Sequence, residues 1–127
     1  MPPDPTVIAI AVVQDGDHFL VGQRPPEKPL AGYWEFPGGR VEPEERPGDA
    51  AVRECLEETG LHVLVEGSYG DWLQQYEHGT VRLFFFACRP LQPRQAPRSP
   101  FRWVARGELA SGRFPSGNDA LIAQLTR

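Results

Sequence analysis

Residues 39–61 read GRVEPEERPGDAAVRECLEETGL, and this stretch decides how the rest of the chain is read. It is a glycine turn, an acidic connection and then a helix. Pro47 suits the first helical turn, where its missing N–H is not needed. Gly60 suits the position just past the end, where a left-handed backbone is cheap. Leu56 and Leu61 have the spacing of the apolar contact that closes such an end. Arg46 is a poor N-cap, so the end of the helix is better specified than its start. Glu54, Glu57 and Glu58 stand at i, i+3 and i+4 and share a face. Ala51, Val52, Cys55 and Thr59 fall on the opposite arc, which predicts that they pack on a sheet.

Three like charges on one face repel, by a few tenths of a kcal/mol per pair on an exposed helix. Taken alone, E-x-x-E-E suits a solvated face. A divalent cation would instead turn the cluster into a site, since hard cations such as Mg²⁺ take carboxylate oxygens and share them with substrate phosphates. Arg53 lies four residues before Glu57 and is spaced to hold that carboxylate.

The composition is that of an ordinary globular protein, with 40% hydrophobic and 24% charged residues in a 127-residue chain. That length predicts one domain spanning 1–127. A net charge of −4 argues against a polymeric nucleic-acid partner. Seven of the 17 acidic residues fall between Glu42 and Glu58, so the acidity concentrates at the proposed site. The arginines from Arg89 to Arg113, with Glu108 the only acid among them, suit either a solvated loop or a polyphosphate. Cys55 and Cys88 lack metal or redox spacing and are expected to be reduced core thiols. Met1-Pro2-Pro3-Asp4-Pro5 has neither a basic start nor an apolar core, and no apolar run approaches the roughly 20 residues that span a bilayer. A cytoplasmic protein with no membrane partner is expected, as monomer or homodimer.

The flanking chain reads mostly as strand. Residues 1–5 are a loose proline-rich end. Thr6–Gln14 is an apolar strand buried on both faces, Asp15-Gly16-Asp17 a turn, and Phe19–Gln23 the returning strand. Arg24–Gly32 is a loop, and Tyr33–Phe36 is a short strand leading into Pro37-Gly38-Gly39. Leu61–Glu66 is a strand that Gly67 and Gly70 break, with Trp72–Tyr76 resuming it. Glu77-His78-Gly79 is a turn, Val81–Cys88 the most apolar strand, Pro90–Pro100 a loop and Phe101–Ala105 a last strand. Glu108–Ser111 is a short helical turn. Ser116, with Asp119 three residues on, predicts a capping box opening the final helix. The sum is an α+β fold, a mixed sheet between helices.

The 39–61 stretch resembles the Nudix box: G, five residues, E, seven residues, then R-E-U-x-E-E-x-G-U with U apolar. Gly39, Glu45, Arg53, Glu54, Glu57, Glu58, Gly60 and Leu61 carry the match, with Cys55 at the first U. Residues 30–45, LAGYWEFPGGRVEPEE, look like the MutT-type branch, which includes 8-oxo-dGTP and pyrimidine triphosphate pyrophosphohydrolases. The resemblance implies a Nudix α/β/α sandwich and Mg²⁺-dependent hydrolysis of a nucleoside diphosphate linked to another group, with Mn²⁺ as a substitute metal. The small-molecule substrate is then a nucleoside triphosphate, which suits nucleotide-pool sanitisation. ADP-ribose or a dinucleoside polyphosphate is the alternative, as is a binding module that turns nothing over.

Glu54, Glu57 and Glu58, with the carbonyls of Gly38 and Gly39, are implied as metal ligands. Glu54 is first in line as the base and Glu57 second, with Arg53 beside them in the catalytic set. Arg24, Glu35, Phe36 and Asn118 are the substrate-binding candidates. Arg24 stands where MutT-type enzymes place an arginine. Asn118 closes F-P-x-x-N, whose asparagine pairs with a purine edge, though a polar first-turn residue needs no ligand. Phe36 suits the base or the core. One departure stands out. Pro97 occupies the place where MutT-type enzymes often carry an additional acidic ligand, in the loop before Trp103, so the resemblance assigns no loop ligand here; Glu77 lies in a different loop and has no positional warrant for the role.

Overall fold

A computed structural model describes residues 5–77 and 79–127. The loose end expected at residues 1–5 therefore lies outside the described residues except for Pro5, as does His78 of the Glu77-His78-Gly79 turn. The elements run β1 (Thr6–Asp15), β2 (His18–Gln23), β3 (Trp34–Glu35), β4 (Gly38–Arg40), α1 (Pro47–Thr59), β5 (Val63–Tyr76) and β6 (Gly79–Pro90). They continue with β7 (Arg102–Ala105), α2 (Arg106–Leu109), a 3₁₀ turn (Ser116–Asn118) and α3 (Asp119–Leu125).

The sheet is mixed. Its path is β3-β2-β1-β6-β5, with β4 also paired to β1 and β7 to β2. β1 and β6 are parallel, from Thr6 beside Val81 to Val13 beside Cys88. β1 runs through the centre and buries both of its faces, because alternate side chains point to opposite sides. Ala9, Ala11 and Val13 join the core beneath α1 with Ala51, Cys55 and Leu61. Val12 joins the opposite core with Phe85, Val104, Leu109, Leu121 and Leu125. These two apolar layers make the expected sandwich. No described helix is long and apolar enough to cross a membrane.

Several local expectations are corrected. Gly38 and Gly39 do not form a turn but belong to β4, paired antiparallel with Ile10 and Ala9. Gly67 and Gly70 do not end a strand: β5 is continuous, with bulges at Val65/Gly67 and Ser68/Gly70. A bulge absorbs an extra residue without ending the pairing, so a glycine there bends the strand. The short helix begins at Arg106 rather than Glu108. At the last helix Ser116 caps nothing; it opens the 3₁₀ turn, and α3 starts at Asp119.

One feature of the sheet places the site. The edge of β1 is shared: β4 takes Ile8–Ile10, while β2 takes only Gln14 and Asp15. β2 then diverges to pair with β7 and β3. β4, and β1 to which it pairs, lie against α1.

Candidate active site

α1 has the expected bounds, with Pro47 in its first turn and no side-chain bond from Arg46. Gly60 closes it at φ 79°, its N–H donating to the Leu56 carbonyl. Thr59 adds a second closure: its Oγ1 donates to the Cys55 carbonyl at 2.7 Å and accepts from the Leu61 N–H at 3.1 Å. The buried side of α1 is Ala50, Ala51, Cys55 and Thr59. Val52, expected there, is only half-buried at its margin.

The acidic side divides. Glu54 is 18% exposed and sits against β4 at Gly39; a Cβ on Gly39 would collide with the Glu54 carboxyl group. Gly39 is required for that space, and its φ is not in the left-handed region. Glu58 lies beside Gly38, whose N–H reaches its Oε1 at 3.4 Å. Burial, the neighbouring Glu54 carboxyl and the charge of Glu35 push the Glu58 carboxyl up to about 8, against the Gly38 N–H, which favours its ionised form. Glu57 is 58% exposed and leans to Arg53. Among the described residues no group of three His, Cys, Asp or Glu side chains is already gathered for a metal. The structure brings Glu54 and Glu58 together beside β4, with Glu57 to one side at Arg53.

Alternation along β4 sorts the two glycine carbonyls. Pro37 O accepts from Ala11 N and Val41 N donates to Val7 O, so the odd-numbered residues turn their polar groups to β1. Gly38 N–H meets Glu58 and Arg40 O meets Arg53, so the even-numbered ones turn to α1. The Gly38 carbonyl is thus turned away from β1, to the side where its N–H meets Glu58. The expectation that Gly39 also offers its carbonyl is corrected: it faces the ladder, and Gly39 contributes room instead. Two close carboxylates, one pushed towards its neutral form by burial and by the other, with an adjacent carbonyl, are an all-oxygen donor set short of positive charge. That set fits a hard divalent cation.

Arg53 organises the cluster. Its Nε and Nη2 donate to both Glu45 oxygens at 2.8 and 3.0 Å. Its Nη1 donates to Glu54 at 2.9 Å and, more weakly, to Glu57 at 3.4 Å, and Nη2 also donates to the Arg40 carbonyl at 3.0 Å. The i,i+4 contact foreseen with Glu57 is the longest of these. The main partner is Glu45, whose carboxyl is held down at about 2 by Arg53 and by the Glu42 N–H. The guanidinium is itself held more firmly protonated. No periodicity could have shown this, because Glu45 lies outside the helix.

Next to the pair is a cleft of about 600 Å³, lined by Arg24, Glu35, Phe36, Gly38 and Glu58. Lys28 and the segment Ser99-Pro100-Phe101 close its sides; neither was foreseen. Arg24 is brought to Glu35 by a 2.9 Å ion pair, and its Nε donates to the Pro29 carbonyl at 2.7 Å. Phe36 is 6% exposed and stacks on Phe114 with centroids 5.0 Å apart, so it belongs to the core as well as to the cleft wall. Asn118 is not among the residues lining this cleft. Its Nδ2 donates to the Pro115 carbonyl at 3.2 Å, within its own 3₁₀ turn. Cys55 and Cys88 are free and buried, and burial pushes both thiols up, to about 11 and about 12.

Comparison with known proteins agrees with this geometry. The NUDIX domain family matches residues 2–125. A CTP pyrophosphohydrolase of Escherichia coli is 46% identical over 63 residues, which are 50% of this chain and 45% of that protein. That match therefore spans less than half of the relative. An 8-oxo-dGTP diphosphatase of Haemophilus influenzae is 31% identical over 122 residues, 93% of this chain and 89% of that protein. A MutT protein from Methanosarcina mazei has the same fold, with a TM-score of 0.79 at 20% identity over 98% of this chain and 96% of that one. The box, the strand order and the full-length match agree: the chain belongs to the NUDIX domain family, as a MutT-type hydrolase acting on phosphoanhydride bonds.

Proposed function

We propose that this hydrolase cleaves nucleoside triphosphates to the monophosphate and pyrophosphate with Mg²⁺, on an oxidised purine nucleotide of the 8-oxo-dGTP kind. The observation that carries this is the Glu54–Glu58 pair beside the Gly38 carbonyl, at the wall of a cleft that also holds Arg24 and Lys28. Polyphosphate hydrolysis is mostly a matter of placement and charge. Glu54, Glu58 and the Gly38 carbonyl would hold the cation, with Glu57 swinging in from solvent. Bound Mg²⁺ supplies charge neutralisation at the phosphate oxygens and a lower pKa for water, and Mn²⁺ supplies the same. Glu54 is the first choice for the general base that takes the water's proton, and Glu57 the second. Arg53 orients both carboxylates from behind. Arg24, oriented by Glu35, contacts the substrate across the cleft, and Phe36 packs beneath it.

A pyrimidine triphosphate is the second reading. The Asn118 amide is directed to the Pro115 carbonyl rather than into the cleft, so its pairing with a purine edge lacks support. The relative that is 46% identical over half of this chain is named for CTP. The protein acts as a single catalytic domain on a free nucleotide in the cytoplasm, where its two free thiols stay reduced.

Incubation with 8-oxo-dGTP, dGTP, CTP and ADP-ribose in Mg²⁺, with products separated, tests the proposal. Monophosphate and pyrophosphate from a triphosphate support it. Turnover of ADP-ribose alone moves the chain to another branch. Tight nucleotide binding without any product makes it a binding module.

A further inference from the structure

The segment Arg98–Phe101 is tied at both ends to the elements that form the cleft. At one end, Arg98 Nη1 donates to the Glu57 carbonyl at 2.7 Å, and the Arg98 N–H donates to the Thr59 carbonyl at 2.8 Å. These are carbonyls of the last turn of α1, which a helix cannot satisfy internally. That turn, Leu56-Glu57-Glu58-Thr59, contains acids and no basic residue. The negative end of the helix thus draws its positive partner from a loop 41 residues onward in the chain. At the other end, the Phe101 ring lies on Gly22 of β2, so close that a Cβ there would stand 2.8 Å from Phe101 Cε1. The Phe101 N–H donates to the Arg98 carbonyl at 3.0 Å and closes the turn between the two anchors. Ser99, Pro100 and Phe101 line the same cleft as Glu58. The strut therefore joins the helix that carries the carboxylates to the strand that leads into Arg24.

We propose that Arg98 is a positioning residue that sets the width of the substrate cleft by fastening this strut to the end of α1. The proposal rests on the reading of that cleft as the nucleotide polyphosphate site. Removing the Arg98 side chain takes away the Glu57 bond and leaves only the backbone bond to Thr59, which loosens this wall while leaving Glu54, Glu58, Arg53 and Arg24 in place. The loss falls on binding common to ground and transition states, which appears in KM rather than kcat. A charged hydrogen bond of this kind corresponds to about a tenfold change.

The test compares wild type, Arg98→Ala and Arg98→Lys in steady-state kinetics with Mg²⁺ and whichever nucleotide of the panel the wild type turns over. Tm of each variant and the affinity of a non-hydrolysable α,β-methylene triphosphate, by calorimetry, complete it. The expected result is KM up about tenfold in Arg98→Ala with kcat within about threefold, and weaker analogue binding. Arg98→Lys, which still offers a charged donor to the Glu57 carbonyl, recovers part of both. A lowered Tm with KM and analogue affinity unchanged, measured well below that Tm, overturns the proposal. So does a loss confined to kcat, or a Lys variant no better than Ala. A wild type that hydrolyses ADP-ribose and no triphosphate refutes the triphosphate reading instead, and the same three-way comparison on ADP-ribose still decides the role of Arg98.

Discussion

Glu58 is the residue on which the site turns. Its carboxyl titrates at about 8 in the fold against 4.5 without it, chiefly because it is buried beside Glu54. The folded state therefore binds its proton more tightly than the unfolded state does. Stability from this group is complete below pH 4.5 and is lost as pH rises through 8. Held in chelator, the protein should show a Tm that declines between those limits. Mg²⁺ should flatten the slope by replacing the proton as the partner of the carboxylate. Glu58→Gln should remove the slope, because a neutral amide has no proton to lose. The same variant should fold yet lower kcat by about a hundredfold or more, the order seen when a charge-stabilising group is removed. A Tm profile in Glu58→Gln as steep as that of wild type, or unaltered turnover, would refute this assignment.

α1 and β4 work as one element, joined through Arg53. The guanidinium spans Glu45 in the connection, Glu54 on the helix and the Arg40 carbonyl on the strand. Its planar fork meets both oxygens of Glu45 from two nitrogens while a third reaches Glu54, a geometry that a single ammonium nitrogen cannot reproduce. Arg53→Lys should therefore lower kcat about tenfold or more by loosening Glu54, while far-ultraviolet circular dichroism stays that of wild type. Equal kcat in the lysine variant would show that charge alone suffices. The Glu45–Arg53 contact also gives a second pH dependence of opposite sign. The depressed Glu45 carboxyl contributes stability above 4.5 that is lost as pH falls towards 2.

The molecule depends on β1 and β6 at the centre of its sheet, with an apolar layer on each side. Phe85 is fully buried in the layer beneath α3, across the sheet from the carboxylates. Phe85→Ala should destabilise by about 3–5 kcal/mol, measured by urea unfolding. At temperatures where the variant remains folded, its KM should be that of wild type, because no residue of the cleft wall is removed. A shifted KM in fully folded Phe85→Ala would mean that the cavity is felt at the cleft through Phe36, which belongs to the same layer.

Local chemistry made much of this legible in the residues. The bounds of α1 follow from Pro47 and Gly60, and the burial of β1 follows from an unbroken β-branched run, since each depends on near neighbours. The sharing of a helix face by Glu54, Glu57 and Glu58 follows from angular spacing in the same way. Spacing could not show which of the three meets the sheet. That was decided by β4, a three-residue strand whose glycines look like a turn until a partner supplies their hydrogen bonds. The bulged continuity of β5, the Glu45–Arg53 contact and the grip of Arg98 on α1 likewise join residues far apart in the chain or depend on a neighbouring strand. Sequence determined the family, the main helix and the chemical character of the site. Tertiary structure alone decided which two carboxylates stand together and what encloses them, because proximity across a fold is set by packing rather than by spacing along the chain.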